Sequence, residues 1–491
     1  MEGNMAYRDL REFIGILESE GELVRIKEEV DWQCELGAVS RRLCDLETQG
    51  VNAPAVIFEN IKGHQGGKFF TNTLASYRRY ALALGLKKET PVKDLIEAYR
   101  QRIRKPVDPR IISASAATCK ENILTGNDID LLKFPVPKWH TLDGHRYIGT
   151  YHTVICREPD TGWTNWGTYR MGVHDKNSTG IPLAPNRHIA AIFRKYQDKN
   201  EPMPVCVSIG QDPINVIVSA SGFPGNVSEV GMAGALRQEP VELVKAETCD
   251  LAVPAHAEIV LEGEIAPGEL KDEGPFGEYP GYYAGDRFPK PVFRVKCVTH
   301  RNQPILTGSQ EGVALVDDHI MASISQSALA KWHLLDLVAV SGVKDVFFPP
   351  YCASWHFCIV SAKNVHQGLA MKIASALWGS KFGELANWVV VVDDDIDPSN
   401  IQQVLWSVVT RCDPVRGVHI VPRCRYNPLV PKIPVLDRTV KGMPGSSIII
   451  DAQFPFEWIK SDPGSIPEVV DWNSWEPATR ERALEVLSRV L

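Results

Sequence analysis

The stretch KDEGPFGEYPGYY, residues 271–283, sets two carboxylates, Glu273 and Glu278, five positions apart around a Gly-Pro-Phe-Gly turn. Gly274, Pro275 and Gly277 fix the backbone, while Phe276, Tyr279, Tyr282 and Tyr283 provide an apolar wall. Such a wall raises a carboxyl pKa and turns a glutamate into a proton donor near neutral pH. Taken alone, the stretch reads equally well as a solvated hairpin. Three further stretches carry side chains that could do chemistry: GWTNWGTYRMGVHD (162–175) with Arg170, PNRHIAAIF (185–193) with His188, and GNVSEVGMAGAL (225–236) with Ser228 and Glu229. Arginine is suited to gripping a carboxylate in a two-pronged fork. Each also has an ordinary structural role: ion pair, buried imidazole, helix cap. Asp393, Asp394 and Asp397 have a spacing that could chelate a hard cation, but the four valines before them and the Pro-Ser-Asn after them read as a buried strand leaving its sheet. No G-x-G-x-x-G, Walker loop, H-E-x-x-H or G-x-S-x-G occurs, which sets aside dinucleotide-binding enzymes, P-loop NTPases, zincins and α/β-hydrolases.

The elements that must position these groups follow from periodicity. Leu10, Phe13, Ile14 and Leu17 repeat at helical spacing ahead of Gly21, and ELVRI and PAVIFENI read as strands, so residues 1–115 are expected to form an α/β domain. Residues 116–310 hold many short β-like runs, among them YIGTYHTVICRE, MPVCVSIG, INVIVSA, AHAEIVLEGEI and PVFRVKCVTH, and predict a β-barrel or sandwich interrupted by a helix in NVSEVGMAGALRQEP. Ile259, Leu261 and Ile265 should share one face, as should Phe293, Val295 and Cys297. Beyond about 310 the order becomes helix, strand, helix, strand, a further α/β domain in which Ile401, Val404, Leu405 and Val408 form one stripe. The tail, 471–491, starts a helix at Pro477 with Leu484, Leu487 and Leu491 on one face, a surface for its own chain or for a second subunit.

At 491 residues the chain exceeds one growing core, and two or three domains are expected. The net charge of −7, with basic residues dispersed, argues against nucleic acid and anionic membranes and favours a small ligand. No run approaches a membrane span or signal peptide, so the protein reads as cytoplasmic. Eleven cysteines, scattered from Cys34 to Cys424 without a C-x-x-C, read as reduced thiols.

In series, WTNWGTYR, PNRHIA, VSEVGMAGALRQEPVELVK, AEIVLEGEI running into EGPFGEYPGYY, and VVVVDDDIDPSNIQQVLWSVVTR resemble the UbiD family of decarboxylases, and the likeness extends over nearly the whole chain. It implies an α/β multidomain fold whose central domain is a split β-barrel of the flavin-reductase type, joined by a linker helix at 311–335 to the C-terminal α/β domain at 336–470. It also implies prenylated flavin mononucleotide (prenylated FMN) as cofactor, with Mn²⁺ on Asn165, His188 and Glu229 and K⁺ nearby. Thr168, Tyr169, Arg170, Arg187, His188, Ser219, Glu229 and Lys441 would contact the cofactor, and Arg170, Glu273 and Glu278 would form the catalytic set. Where many members have a lysine four residues before an aspartate, this chain has Ser447 before Asp451, with Lys441 as a substitute. The segment 307–335, carrying His319, would face the substrate, an aromatic or heteroaromatic monocarboxylate of the bacterial hydroxybenzoate and vanillate kind. A flavin prenyltransferase would supply the cofactor, and a homodimer or dimer-based hexamer is the family habit. Two other readings stay open: a flavin-binding oxidoreductase on the same barrel, which leaves the two glutamates without a task, and a non-catalytic accessory subunit, which would not need the Glu-Arg-Glu set.

Overall fold

The computed structural model describes residues 7–185, 187–283, 287–425, 427–434, 444–461, 464 and 466–489. Asp9 caps the first helix, Leu10–Ser19, by accepting the Glu12 N–H at 3.1 Å, and that helix buries Leu10, Phe13, Ile14 and Leu17 as the period predicts. It packs beside a four-stranded sheet, Leu23–Ile26, Ala55–Phe58, Lys68–Thr71 and Ile305–Thr307, in that order. The last strand returns from beyond the central domain to lie parallel to Lys68–Thr71. The N-terminal layer is therefore closed by a distant part of the chain. The long helix that follows, Asp317–Trp332, lies against Val92–Arg102.

The centre is a nine-stranded antiparallel sheet curled into a half-barrel, running Tyr147–Gly149, Met171–Asp175, Ser178–Gly180, Phe288–His300, Ile259–Glu273, Met203–Ile209, His152–Arg157 and Thr164–Gly167, with Asn122–Thr125 added to Phe288–His300. Two local expectations change here. INVIVSA is helical within Pro213–Ala220, because Asp212 caps its first turn, Pro213 sits at the first helical position, and burial on nearly every side removes the period that separates helix from strand. Cys297 does not share a face with Phe293 and Val295. Opposite Glu262 and Gly263 stand Cys297 and Val295, so Lys296 is an extra residue, and Val298 joins the apolar cluster instead.

The C-terminal sheet orders Val343–Phe347, Phe357–Ala362, Trp388–Val392, Gly445–Ala452 and Val418–Cys424, the middle three parallel and the outer two antiparallel to their neighbours. The helix Ile401–Arg411 presents Val404 and Ser407 to that sheet and leaves Ile401 and Leu405 exposed. Arg411, buried beside Asp393 and Asp395, turns that face inward. The same ion pairs answer the metal question for this acidic run: Asp393 and Asp395 hold an arginine, and Asp397 accepts the Ser399 N–H. The terminal helix Pro477–Leu487 begins at the expected proline and buries none of its residues, with Leu484, Val486 and Leu487 exposed. Leu491 lies outside the described residues. All eleven cysteines are free thiols. No helix among the described residues is long and apolar enough to cross a membrane.

Candidate functional site

The open side of the half-barrel and the C-terminal domain enclose a cavity of about 260 Å³. The strand Thr164–Gly167 delivers Asn165, the link to the next strand delivers Thr168, Tyr169 and Arg170, and the helix Pro213–Ala220 ends there with Ser219. Arg187, His188 and Glu229 complete one end, while Phe276, Glu278 and Tyr279 form another part of the wall. The four separated stretches thus converge. Lys441 lies outside the described residues.

The two glutamates of the opening loop have different settings. Arg170 binds Glu273 with two prongs, Nε to Oε1 at 3.0 Å and Nη2 to Oε2 at 2.7 Å, and the Tyr147 hydroxyl donates to Oε1 at 2.9 Å. Burial acts to raise the Glu273 carboxyl, but Arg170 and Tyr147 outweigh it and hold it below the usual glutamate value. Arg170 Nη1 also donates to Glu278 in a close contact. There the balance reverses: burial pushes the Glu278 carboxyl upward against the pull of Arg170, and the charges of Glu273 and Asp143 add to the rise. Burial likewise opposes the charge on Arg170, yet its two glutamates keep it firmly protonated.

Close backbone approaches pin this arrangement. A Cβ on Gly144 would fall 2.0 Å from the Gly274 carbonyl oxygen, and the Gly144 N–H donates to Pro275 O at 2.8 Å. Asp143, buried beside it, accepts the Gly277 N–H at 2.9 Å. A Cβ on Gly180 would come within 2.7 Å of Glu273 Cγ, so a side chain there would displace the acid. The loop's far side docks on the C-terminal domain: the Tyr279 ring meets Trp355 edge-on at 4.9 Å, and its hydroxyl hydrogen-bonds His356 Nε2 at 3.1 Å. The expected apolar wall is corrected in part. Phe276 and Tyr279 are buried, Tyr282 and Tyr283 face outward, and Tyr147 from another strand takes their place. A tyrosine inside a short apolar strand was the only signal for it.

At the other end, His188 and Glu229 are each the first residue of a helix, His188–Lys199 and Glu229–Arg237. Ser228 performs the capping, accepting the Gly231 N–H at 3.1 Å, which leaves the Glu229 side chain to the cavity. Glu229 is 3 % exposed, accepts a long 3.5 Å hydrogen bond from Trp166 N, and makes no ion pair among the described residues. Burial pushes its carboxyl up to about 8. Burial pushes the His188 imidazole down to about 4, with Lys381 and Arg187 adding to the effect, so the ring is neutral and its nitrogens are available for ligation. The amide of Asn165 is buried beside them. An amide oxygen, an imidazole and an unpaired carboxylate suit a hard or borderline divalent cation such as Mn²⁺.

Lys381, which no sequence pattern singles out, lines the same end. Burial, then Arg187 and Arg425, drive its ammonium down to about 8, although Glu384 pairs with it at 3.2 Å and also with Arg425. Ser447, where a family lysine was sought, lies buried in the C-terminal sheet and accepts a hydrogen bond from Asn387 at 3.2 Å. His319 is corrected too. It is fully buried, with Nδ1 accepting the Val316 N–H at 3.1 Å and Nε2 against Tyr279 O at 2.9 Å, so it braces the loop and does not line the cavity. From its segment, Glu311 and Asp318 reach the cavity instead.

Comparison with known proteins gives one answer along the chain. Residues 14–99, 110–313 and 319–452 match the N-terminal, Rift-related and C-terminal domains of 3-octaprenyl-4-hydroxybenzoate carboxy-lyase. The pyrrole-2-carboxylic acid decarboxylase of Pseudomonas aeruginosa is 32% identical over 470 residues, covering 92% of each chain. The closed form of vanillic acid decarboxylase from Sedimentibacter hydroxybenzoicus superposes with a TM-score of 0.87 at 32% identity over 99% of both chains. An evolved dimeric form of the enzyme HmfF from Pelotomaculum thermopropionicum, solved with prenylated FMN, gives 0.78 at 30% identity over 96% of this chain and 100% of that one.

Proposed function

The chain belongs to the UbiD family, and from that premise we propose that this carboxy-lyase removes CO₂ from an aromatic or heteroaromatic monocarboxylate without net oxidation, with Arg170, Glu273 and Glu278 as its working set. The observation that carries the assignment is the unequal treatment of two glutamates by one arginine. Glu273 fixes Arg170 from behind, and the Nη1 side of Arg170 is left to bind the substrate carboxylate in place of Glu278. Glu278, whose carboxyl burial has raised, holds a proton close to the reacting carbon. The bond to CO₂ breaks, its electron pair stays with the substrate carbon, and the Glu278 proton forms the new C–H bond. Prenylated FMN, when bound, supplies the electron sink that an aryl carbanion requires. Water exclusion falls to Phe276 and Tyr279.

The residues present fit that cofactor. The unpaired Glu229, with His188 and Asn165, would hold Mn²⁺, and Arg187 and Lys381 would receive the phosphate at the two helix N-termini, with Thr168, Tyr169 and Ser219 on the adjoining wall. The sheet that carries them is proposed to be a flavin-reductase-type split barrel. The uncovered apolar face of the terminal helix supports a homodimer, read by light scattering with and without residues 471–491.

The test is co-expression with a flavin prenyltransferase, followed by mass and absorption spectra of the bound flavin and a panel of aromatic acids assayed for CO₂ with Mn²⁺ and K⁺ added or omitted. Prenylated flavin with CO₂ release supports the reading. Unmodified FMN without CO₂ release, in the presence of both ions, sinks it and favours the oxidoreductase.

A further inference from the structure

Cys206 lies midway along the strand Met203–Ile209, fully buried, with Ile155 and Glu262 opposite it on the neighbouring strands. Cys249 stands in the bend 247–250, half-buried, 43 positions further along the sequence. Their sulfurs are 3.6 Å apart, one thiol donating to the other. Among the described residues no other two of the eleven thiols are joined in this way.

The fold holds the bend against that strand. Glu262, fully buried, accepts the Glu247 N–H at 2.8 Å, the Thr248 N–H at 2.8 Å and the Thr248 hydroxyl at 3.0 Å. Lys120 pairs with Glu247 at 2.8 Å, and Arg157 with Asp250 at 2.6 Å. Cys249 is therefore anchored on both sides, while a bend, unlike a central strand, yields the small movement that an S–S bond of about 2.0 Å needs. The shared hydrogen bond also divides the two thiols: it lowers Cys249 against burial and the charge of Glu262, and with burial it raises Cys206. Cys249, the more accessible of the two, is thus the better thiolate.

We propose that Cys206 and Cys249 are an oxidisable pair, closing a reversible disulfide that fastens the bend 247–250 to the half-barrel sheet when hydrogen peroxide is present. The Cys249 thiolate attacks one peroxide oxygen. The O–O bond breaks, an S–O bond forms, and the hydroxide released becomes water with the proton that Cys249 gave up. The Cys206 sulfur then attacks the Cys249 sulfur. The S–O bond breaks, the S–S bond forms, and the departing hydroxide takes the Cys206 proton. Each sulfur gives up one electron, and the peroxide is reduced to water. A dithiol reverses the change. The inference stands apart from the decarboxylase reading, since neither cysteine lines the cavity.

Cys34, Cys352, Cys412 and Cys424 are half-buried as well but meet no thiol among the described residues, so peroxide takes them only to sulfenic and sulfinic acids. The test therefore counts thiols. The full chain is reduced, desalted, exposed to rising hydrogen peroxide, unfolded and alkylated, and its peptides are mapped by mass without reductant. At the lowest dose that changes the labelling, nine cysteines should take the label, eleven less the two in the bond, with one peptide joining Cys206 to Cys249. Dithiothreitol should return the count to eleven. The joined peptide should form at least about 10-fold faster than any other cysteine is oxidised. Cys249→Ser should abolish it and leave Cys206 unoxidised. Cys206→Ala should also abolish it, leaving Cys249 as a sulfenic acid that dimedone captures.

Labelling of all eleven thiols after a dose that already oxidises methionine overturns the inference, as does a joined peptide that links any other two cysteines or two separate chains. Cys249 carried to the sulfinic acid in the unsubstituted protein, with no joined peptide, overturns it as well.

Discussion

Two carboxylates at opposite ends of one cavity are held in contrasting ways. Glu273 takes a two-pronged arginine and a tyrosine hydroxyl, and its charge is neutralised by the chain itself. Glu229, just as deeply buried, receives one long backbone hydrogen bond and no cation among the described residues. The folded chain neutralises the first end itself, and under the proposed function the second end is where metal and cofactor would bind. Catalytic machinery must keep its geometry between turnovers, whereas a cofactor site has to be open until loaded.

The largest effect should come from cutting the completed end. Arg170→Met strands two buried acids, and kcat is expected to fall by at least about 10³-fold with a loss of about 3–5 kcal/mol in stability. Steady-state kinetics and denaturant unfolding check this, and near-normal turnover would show that Arg170 is only structural. At the incomplete end, Glu229→Gln should weaken Mn²⁺ binding by about 10- to 100-fold and empty the flavin on dialysis while the fold persists. Metal analysis and absorption spectra read this directly. If the variant keeps metal and flavin, the two ends are not different in the way argued.

Smaller changes sharpen the contrast. Tyr147→Phe removes a hydrogen bond that holds the Glu273 carboxyl low, and is expected to cost about 5- to 10-fold in kcat/KM. The sign of its pH effect follows from that hydrogen bond. Activity is lost on the acid side as Glu273 takes up a proton, so raising its pKa moves the acid limb to higher pH. The alkaline limb, set by loss of the Glu278 proton above the ordinary glutamate value, stays in place. Tyr282→Ala, at a side chain 57% exposed, should change stability and turnover by no more than about 0.5 kcal/mol.

The sequence disclosed the groups and much less of their surroundings. Arg170, Glu273 and Glu278 were legible because they punctuate β-like stretches with charge, and Asn165, His188 and Glu229 because a family pattern joins them. Neither route could find Tyr147, which looks like any strand tyrosine, or Lys381, which becomes a site residue only when another domain is folded over the barrel; the segment 307–335 is expected at the substrate, but that Glu311 and Asp318 rather than His319 reach the cavity is not legible in it. Tyr282 and Tyr283 misled for the same reason, since adjacency in sequence says nothing of which ring faces the acid. INVIVSA reads as a strand because burial on nearly all sides of the helix Pro213–Ala220 erases helical period. Alternation puts Cys297 on the face of Phe293 and Val295 because a single extra residue in a strand is invisible to it.

The account turns on Glu278 as the proton donor and Glu273 as the arginine's support. The direct test is single-turnover decarboxylation in D₂O by the Glu278→Gln enzyme carrying flavin and Mn²⁺. The account predicts a normal flavin spectrum, at least a 10³-fold loss of product, and no exchange of deuterium into the product carbon. Deuterated product formed at close to the unsubstituted rate would contradict it and assign the proton to another group.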